Sequence, residues 1–190
     1  VLMNPAPTIR VTPGAPNAGY SLIEVVNSSI PSGTTTTFRL RARDAANNVI
    51  STGGAAVVFG VTGGGSTAIV GSAADQGDGT YTATVTGVLV GSPTTVTATV
   101  NGAQVTTTPP TLEVTPGAIS ANTSVVTVAD SSIQSTSATT VTLTAKDAAG
   151  NLIPTGGETI VFSHSGGTST GSFSTTTNVG NGTYTSSFTG

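Results

Sequence analysis

The chain has 190 residues, of which only 7% are charged, and its formal net charge is −3. Because it lacks the basic patch that nucleic-acid binding requires, we expect no nucleic-acid partner. It contains no cysteine, which excludes thiol chemistry and cysteine-based metal sites. No apolar run approaches the roughly 20 residues that span a bilayer, so we expect no membrane contact by this segment.

In chain order, the first half consists of short runs of strand-forming residues separated by turn signals. Residues 37–43 alternate apolar and polar side chains, which places Phe38, Leu40 and Ala42 in the core and sets the register. No helical periodicity is present. The predicted strands are 9–12, 20–26, 37–43, 55–61, 67–72, 80–86, 94–100 and 103–107.

An internal repeat organises the sequence. The segment DAAGNLIPTGG, which begins at Asp147, repeats the segment DAANNVISTGG, which begins at Asp44, at an offset of 103 residues. The same offset relates Val11–Gly14 to Val114–Gly117. A repeat of domain size indicates tandem units that each bury their own core. Together with the strand pattern, it predicts an all-β fold of tandem β-sandwiches.

Two turns are predicted from their residue types. Asp44 and Asp147 each begin a turn whose fourth position is Asn47 in the first copy and Gly150 in the second. Because Asn and Gly tolerate the left-handed conformation best, we expect a positive φ at this position. The pair Asn101-Gly102 is a strong hairpin signal and predicts a type I′ turn.

The repeat also predicts domain boundaries. Residues 1–8 correspond to the tail of a preceding unit and a linker, and residues 9–108 form the first domain. Residues 109–111 are a proline-rich linker, and residues 112–190 form the second domain. In this interpretation Pro109-Pro110 is a stiff link that limits bending between the units.

The second unit stops at the counterpart of Gly87, so it lacks the last hairpin, which corresponds to residues 88–107. A sandwich without these strands exposes an open core face and unpaired sheet edges. Two explanations are open. Either the natural chain continues, or a neighbouring molecule donates the missing strands and a fibre forms.

The turn and strand patterns together resemble a known family. Ser-Ser-Ile, an alternating strand, Asp-Ala-Ala-Gly-Asn, Thr-Gly-Gly, Gly-Asp-Gly-Thr-Tyr-Thr-Ala-Thr-Val-Thr and a strand that ends in Val-Asn-Gly resemble bacterial immunoglobulin-like repeats. The resemblance covers both units and is closest to the repeats of the invasin and intimin adhesins. It implies tandem immunoglobulin-like β-sandwiches, stacked into a stalk that holds an adhesive tip away from a surface. Related repeats decorate phage particles and surface layers, and filamin repeats share the pattern of residues 75–81.

Candidate catalytic and metal-binding groups are few. His164 is the single histidine, and its counterpart in the first unit is Val61, so we expect neither a catalytic centre nor a zinc site. Asp75 and Asp78 flank glycines and are weak candidates for calcium, but the second copy has asparagine at both positions. A glycine-rich turn capped by Asp or Asn is the simpler interpretation. We expect no enzyme activity and no cofactor.

The repeat favours a structural module, namely a spacer in the adhesin-like stalk of an extracellular tandem-repeat surface protein. One alternative is a subunit of a filament, surface layer or phage particle assembled through strand donation or repeat contacts. Another is a module that binds a partner or glycan through loops 60–67 and 163–170, which contain Gly63, Gly64, Gly166 and Gly167. Expected partners are neighbouring repeats of the same or adjacent chains, with a host or surface receptor engaged by another part of the protein. We expect an extracellular location, on a cell or particle surface.

Overall fold

The computed structural model describes residues 7–190, so the predicted tail at 1–8 lies mostly outside the described residues. Within this range no helix has the length and hydropathy needed to cross a membrane. The strands of the first unit are β1 (Leu22–Val25), β2 (Ser29–Pro31), β3 (Thr35–Arg41), β4 (Val57–Thr62), β5 (Ala68–Val70), β6 (Ala74–Asp75), β7 (Thr80–Gly87), β8 (Thr94–Val100), β9 (Ala103–Gln104) and β10 (Thr111–Thr115).

One sheet of the first unit has the strand order β1-β3-β7-β5, and β6 also pairs with β7. At its centre β3 and β7 are antiparallel, with Phe38 opposite Ala83 and Leu40 opposite Tyr81. All four side chains are buried, as is Ala42. The alternation in this strand therefore places its apolar residues inward, as the sequence predicts.

The other sheet has the order β2-β10-β8-β4, with β9 paired to β8. β8 and β9 form a hairpin through Asn101 and Gly102, whose φ angles are 50° and 82°. β10 runs antiparallel to β8 and parallel to β2, where Val114 lies opposite Ile30. β10 thus fills the space between two strands that come from distant parts of the unit.

The two sheets pack face to face around one apolar core. Phe38 on β3 and Phe59 on β4 meet across the interface, with ring centroids 6.1 Å apart. The predicted all-β fold of immunoglobulin-like sandwiches is confirmed. The buried apolar residues of this core are Ile23, Ile30, Phe38, Leu40, Ala42, Ile50, Phe59, Tyr81, Ala83, Val85, Val96, Ala98, Val100, Val105 and Leu112.

The structure moves the predicted boundary between the units. Leu112 and Val114 belong to the first sandwich, where they are 0% and 1% exposed, although the sequence placed residue 112 at the start of the second domain. Pro109-Pro110 lies within the first unit, and the Pro110 carbonyl accepts a hydrogen bond of 2.9 Å from the Val96 N–H. The reason is that β10 closes the second sheet, so the units separate after Thr115.

Residues 9–12, predicted as a strand, are not in a strand in the structure. Ile9 and Val11 are 93% and 87% exposed. Their counterparts in the repeat, Leu112 and Val114, are buried because β10 has β2 and β8 as partners. The first segment has no such partners among residues 7–190.

The strands of the second unit are β11 (Val125–Val128), β12 (Ala138–Thr144), β13 (Ser172–Phe173), β14 (Thr177–Asn178) and β15 (Thr183–Thr189). They form one sheet of order β11-β12-β15-β13, and β14 also pairs with β15. This sheet corresponds strand for strand to the β1-β3-β7-β5 sheet of the first unit, and Tyr184 is buried as Tyr81 is.

The inner face of this sheet is open. Val126 is 56% exposed, whereas its counterpart Ile23 is 8% exposed. Phe173 and Phe188 pack against each other with ring centroids 4.9 Å apart, and they line a cavity of about 330 Å³. Within residues 7–190, no second sheet covers this face as the β2-β10-β8-β4 sheet covers the first unit.

Candidate functional site at the junction of the two units

The two units contact each other end to end. The first unit contributes residues 31–33, 87–90 and Thr115, which lie where β2, β7 and β10 end, and residues 116–117 lead from it to the second unit. The second unit contributes the turn 147–151, which follows β12. We call these segments together the junction.

The turn at the junction is organised by the Asp147 carboxylate. Its Oδ1 accepts hydrogen bonds from the N–H groups of Ala149 and Asn151, at 3.0 and 2.9 Å. Gly150 has a φ of 86°, and Asn47 has 65° at the same position of the first copy. A short acidic side chain that caps the N–H groups two and four residues ahead forms such a turn locally.

A single side chain, that of Asn151, ties the turn to the first unit. Its Nδ2 donates to the Val88 carbonyl at 2.9 Å, to Ser32 Oγ at 3.1 Å and to Asp147 Oδ2 at 2.8 Å. Its Oδ1 accepts from the Val90 N–H at 3.1 Å. Because the amide nitrogen donates hydrogen bonds and the amide oxygen accepts one, the orientation of the Asn151 side chain is fixed.

The chain crosses between the units within two residues. The Thr115 carbonyl accepts a hydrogen bond of 2.8 Å from the Ser32 N–H, so Thr115 is still held by the first unit. The Gly117 N–H donates to Asp147 Oδ2 at 3.0 Å, so Gly117 is already held by the second unit. Only Pro116 lies between them, and its ring fixes φ.

Gly117 is required by the closeness of the two units. A Cβ atom at this position would lie 2.7 Å from the Ser32 carbonyl oxygen. Since that oxygen belongs to the backbone, it cannot move without displacing the turn that carries it.

The first-unit side of the junction is itself held in place. Ser32 Oγ donates to the Val88 carbonyl at 2.7 Å, and the Gly33 N–H donates to the Gly87 carbonyl at 2.9 Å. The two acceptors that the first unit offers to Asn151 are therefore positioned by bonds within that unit.

The predicted binding loop of the first unit lies beside the junction. Gly63 and Gly64 each have a φ of 67°, and the following Gly65 N–H donates to the Ser92 carbonyl at 3.0 Å. Ser66 Oγ donates to the Gly91 carbonyl at 2.8 Å. In this unit the loop therefore supports the segment that reaches Asn151.

The equivalent loop of the second unit contains Gly166 and Gly167, with φ of 75° and 72°. The nearby His164 lies at the open face, where its Nε2 is 3.1 Å from the Gly171 carbonyl oxygen and its ring packs edge-on against Phe188. Binding of a partner by these loops stays a prediction.

Both turn aspartates are held in the ionised form. Burial raises the pKa of Asp147, but hydrogen bonds from Asn151, Gly117 and Ala149 outweigh it and leave the pKa below the ordinary 3.8. The Asn48 side chain and the Gly14 N–H lower the pKa of Asp44 to about 2. At neutral pH the turn of each unit therefore contains a carboxylate that accepts hydrogen bonds.

A cleft of about 520 Å³ lies at the junction, lined by residues 31–34, 86–88, 117–118 and 147–149. Of the residues that line it, Asp147 is the one with an acidic or basic side chain, and its carboxylate oxygens already accept hydrogen bonds. The cleft therefore presents small and apolar groups rather than reactive ones.

The weak metal candidates accept hydrogen bonds from backbone N–H groups. Asp75 accepts hydrogen bonds from the Gly54 and Gly77 N–H groups at 2.6 and 2.8 Å, and Asp78 accepts from the Thr80 N–H at 2.9 Å. Their counterparts Asn178 and Asn181 cap equivalent turns. In the part of the chain that the structure describes, no group of three or more His, Asp or Glu side chains is placed to hold a metal ion.

The sequence analysis did not predict the roles of Asn151 and Ser32. One signal was available, because asparagine ends the turn in both copies, as Asn48 and Asn151, while the residue before it changes from Asn47 to Gly150. The groups that bind Asn151 gave no local signal in the sequence, because Val88 and Val90 lie more than 60 residues before Asn151 in the chain.

Immunoglobulin-like sandwiches that repeat in tandem and are joined end to end define a modular structural protein. The sequence model of the family described as invasin, domain 3, matches residues 17–117 and 120–190. The chain belongs to this family, and the resemblance to invasin-type repeats is confirmed. The first matched range includes β10, in agreement with a unit boundary after Thr115.

Similar solved structures are bacterial adhesins. FdeC, an Escherichia coli adhesin, has 32% identity and a TM-score of 0.60, over 94% of this chain and 58% of FdeC. Invasin, described as a bacterial integrin-binding protein, has 28% identity and a TM-score of 0.56, over 93% of this chain and 35% of invasin. The Yersinia pseudotuberculosis adhesin InvE, at 22% identity and a TM-score of 0.53 over 92% of this chain and 52% of InvE, shares the fold.

The chain spans between 35% and 58% of the length of these three structures. No curated protein matches the sequence. The family and the fold are those of domains found in bacterial adhesins.

Proposed function

We propose that the chain is a spacer module in the stalk of an extracellular adhesin. The observation that carries this proposal is the junction, where the Asn151 amide binds Ser32, Val88 and Val90 of the neighbouring unit. Such a contact holds consecutive units in one orientation, as a stalk requires. The description of FdeC as an adhesin and of invasin as integrin-binding supports a location on the bacterial surface.

The strength of the junction favours one orientation over free hinging. Three hydrogen bonds join Asn151 to the first unit, and each contributes about 0.5–1.5 kcal/mol. Because Nδ2 shares its hydrogens among several acceptors, about 2–3 kcal/mol in total is a reasonable sum. This amounts to roughly a 30- to 150-fold preference for the docked orientation, and Pro116 restricts the crossing segment further.

In this proposal the partners of the segment are neighbouring repeats, and a host or surface receptor is engaged by another part of the protein. Support comes from the first unit, where Gly65 and Ser66 of the loop donate hydrogen bonds to the carbonyls of Ser92 and Gly91, in the segment next to the junction.

Distance measurements between the units test the proposal. The chain has no cysteine, so cysteines introduced at Thr84 and Ser187 accept spin labels selectively. These are equivalent exposed positions on β7 and β15. With native Asn151, pulsed electron paramagnetic resonance should give one narrow distance distribution, and Asn151→Ala should broaden it, because the units lose their main side-chain contact.

Asn48→Ala is a matched control. Asn48 Nδ2 donates to Asp44 Oδ2 at 3.0 Å, just as Asn151 Nδ2 donates to Asp147. Both substitutions therefore weaken a turn in the same way, but only Asn151→Ala removes contacts between units. A distribution that is broad in the native chain, or unchanged by Asn151→Ala, contradicts the spacer role.

A further inference from the structure

We infer that Asn101 is a site of spontaneous covalent modification, in which its side-chain amide is lost and the residue becomes aspartate or isoaspartate. Two asparagines of the chain precede a glycine, namely Asn101 and Asn181. Glycine favours this reaction, because no Cβ atom hinders the approach of its nitrogen to the side-chain carbon of the asparagine. The fold leaves the first pair free to react and holds the second. This inference does not depend on the spacer role.

The reaction needs only water as a second reactant. The backbone nitrogen of Gly102 loses its proton to water and attacks Asn101 Cγ. A bond forms between this nitrogen and Cγ, the bond from Cγ to Nδ2 breaks, and Nδ2 takes up a proton and leaves as ammonia. The product is a cyclic succinimide. Water then opens the ring at either of its carbonyl carbons, which gives aspartate or isoaspartate.

The hairpin between β8 and β9 leaves the reacting atoms accessible. Asn101 and Gly102 are both exposed, and a Cβ atom on Gly102 would have nothing within 4 Å. Among the described residues, neither the Gly102 N–H nor Asn101 Nδ2 has a hydrogen-bond partner. The attacking nitrogen and the leaving group are therefore both free, and the peptide between the two residues can rotate.

A backbone contact polarises the amide that reacts. The Ala56 N–H donates to Asn101 Oδ1 at 2.9 Å, and the Asn101 N–H donates to the Ala56 carbonyl at 2.8 Å. A donor on Oδ1 draws electron density from Cγ and stabilises the negative charge that develops on this oxygen during the attack. The contact thus activates the amide without engaging Nδ2.

The second pair places the same chemical groups in a packed setting. Asn181 is also exposed, and its Oδ1 accepts from the Thr183 N–H at 3.1 Å, so its amide is polarised in a similar way. Gly182, however, is buried, and a Cβ atom on it would overlap the Ile153 carbonyl oxygen. The Gly182 carbonyl also accepts from the Ala145 N–H at 2.9 Å. Rotation of this peptide toward Asn181 Cγ must break these contacts.

The two products have different effects on the hairpin. Aspartate keeps an oxygen at the position of Oδ1 and retains the bond from Ala56, while it adds a negative charge to a chain whose net charge is −3. Isoaspartate adds a carbon atom to the main chain. It therefore displaces the acceptor of the Ala56 bond and lengthens the turn between Val100 and Ala103, which are paired in the hairpin. The start of β4 is then released from β8.

The rates of deamidation at the two asparagines test the inference in a single chain. The folded chain is incubated in mildly alkaline buffer and then digested with trypsin. Cleavage after Arg43 and Lys146 places Asn101 and Asn181 on separate peptides, and fragmentation mass spectrometry measures the modified fraction at each. Deamidation should be about tenfold faster at Asn101 than at Asn181, since the second reaction must break a backbone hydrogen bond and the packing around Gly182.

The same incubation in guanidinium chloride, which unfolds the chain, is the control. Without the fold the two Asn-Gly pairs should react at similar rates, so unfolding should accelerate the reaction at Asn181 far more than at Asn101. A second measurement follows the amide hydrogen exchange of Ala56. Asn101→Asp should keep this amide protected, whereas incubated chains that contain isoaspartate at position 101 should lose the protection.

Each outcome decides for or against the inference. Equal rates at the two sites of the folded chain, or a faster reaction at Asn181, overturn it. An Asn101 that stays unmodified in the folded chain while both sites react in guanidinium chloride overturns it as well. Protection of Ala56 that survives the formation of isoaspartate contradicts the role assigned to the hairpin contact. Selective reaction at Asn101, with loss of that protection, supports the site.

Discussion

At the scale of single residues, Gly117 and Gly14 occupy equivalent positions with different surroundings. A Cβ atom on Gly117 would lie 2.7 Å from the Ser32 carbonyl oxygen, whereas on Gly14 its nearest neighbour would be Asp44 Cβ at 3.8 Å. We predict that Gly117→Ala shifts the distance between labels at Thr84 and Ser187, at a cost of about 1–3 kcal/mol for the crowded contact.

Gly14→Ala is the control for this prediction, since an ordinary contact distance leaves room for a methyl group. It should change the free energy of unfolding by no more than about 0.5 kcal/mol and leave the label distance as it is. Equal effects of the two substitutions on the label distance would show that the approach of Ser32 to Gly117 does not set the orientation of the units.

Residue types alone predict part of the junction. Asp44 and Asp147 could be assigned to turns because short acidic side chains cap nearby N–H groups, and Asn47 and Gly150 to positive φ because few residues adopt it. The bonds of Asn151 to the first unit could not be predicted in this way. They depend on the positions of groups that only the packing of complete units brings together.

At the scale of elements, alternating strands were predictable and the assignment of strands to units was not. The strands predicted at 37–43, 80–86 and 94–100 correspond to β3, β7 and β8, since their apolar positions repeat every second residue. The strand at 111–115 was assigned to the wrong side of the boundary, because its partners β2 and β8 precede it in the chain. β2 was missed, since a three-residue strand ending in proline has no alternation to detect.

The exposed inner face of the second sheet leads to a prediction about strands that would cover it. Residues 88–117 contain β8 and β10, and Gly190 is the counterpart of Gly87, so fusing residues 88–117 after Gly190 continues the repeat in register. The fused strands should cover Val126 and Phe188 and stabilise the second unit by about 1.5–3 kcal/mol for each large apolar side chain that becomes buried. Slower amide hydrogen exchange in β12 and β15 measures this gain.

The control for the fusion carries Val96→Asp in the added segment, since Val96 is fully buried in the first unit. This charge at a core position should prevent the gain. The same experiment addresses strand donation between molecules. If donation occurs, the original chain should sediment as assemblies and the fused chain as a monomer. Equal hydrogen exchange with and without the fusion would contradict an exposed core face.

At the scale of the whole molecule, most of the groups at the junction are uncharged, and the charged side chain there is an aspartate. The hydrogen bonds that cross the junction are made by an amide side chain, a hydroxyl and backbone groups, and the Asp147 carboxylate holds the crossing segment at Gly117. Only 7% of the residues are charged. The pH dependence of stability should therefore be governed by a few hydrogen-bonded aspartates rather than by net charge.

The last prediction concerns the free energy of unfolding in acid. The Asn48 side chain, the Gly14 N–H and the Asn48 N–H lower the pKa of Asp44 from 3.8 to about 2 in the folded chain. A lowered pKa stabilises the fold above the unfolded value of 3.8, and this contribution is lost as the pH falls toward 2. In urea unfolding, Asp44→Asn should thus be less stable than the native chain above pH 3.8, and the difference should shrink as the pH falls below that value.

Asn48→Ala removes the largest cause of the pKa shift, so the loss of stability in acid should begin at a higher pH. A difference between Asp44→Asn and the native chain that stays constant from neutral pH to pH 2 would contradict this assignment.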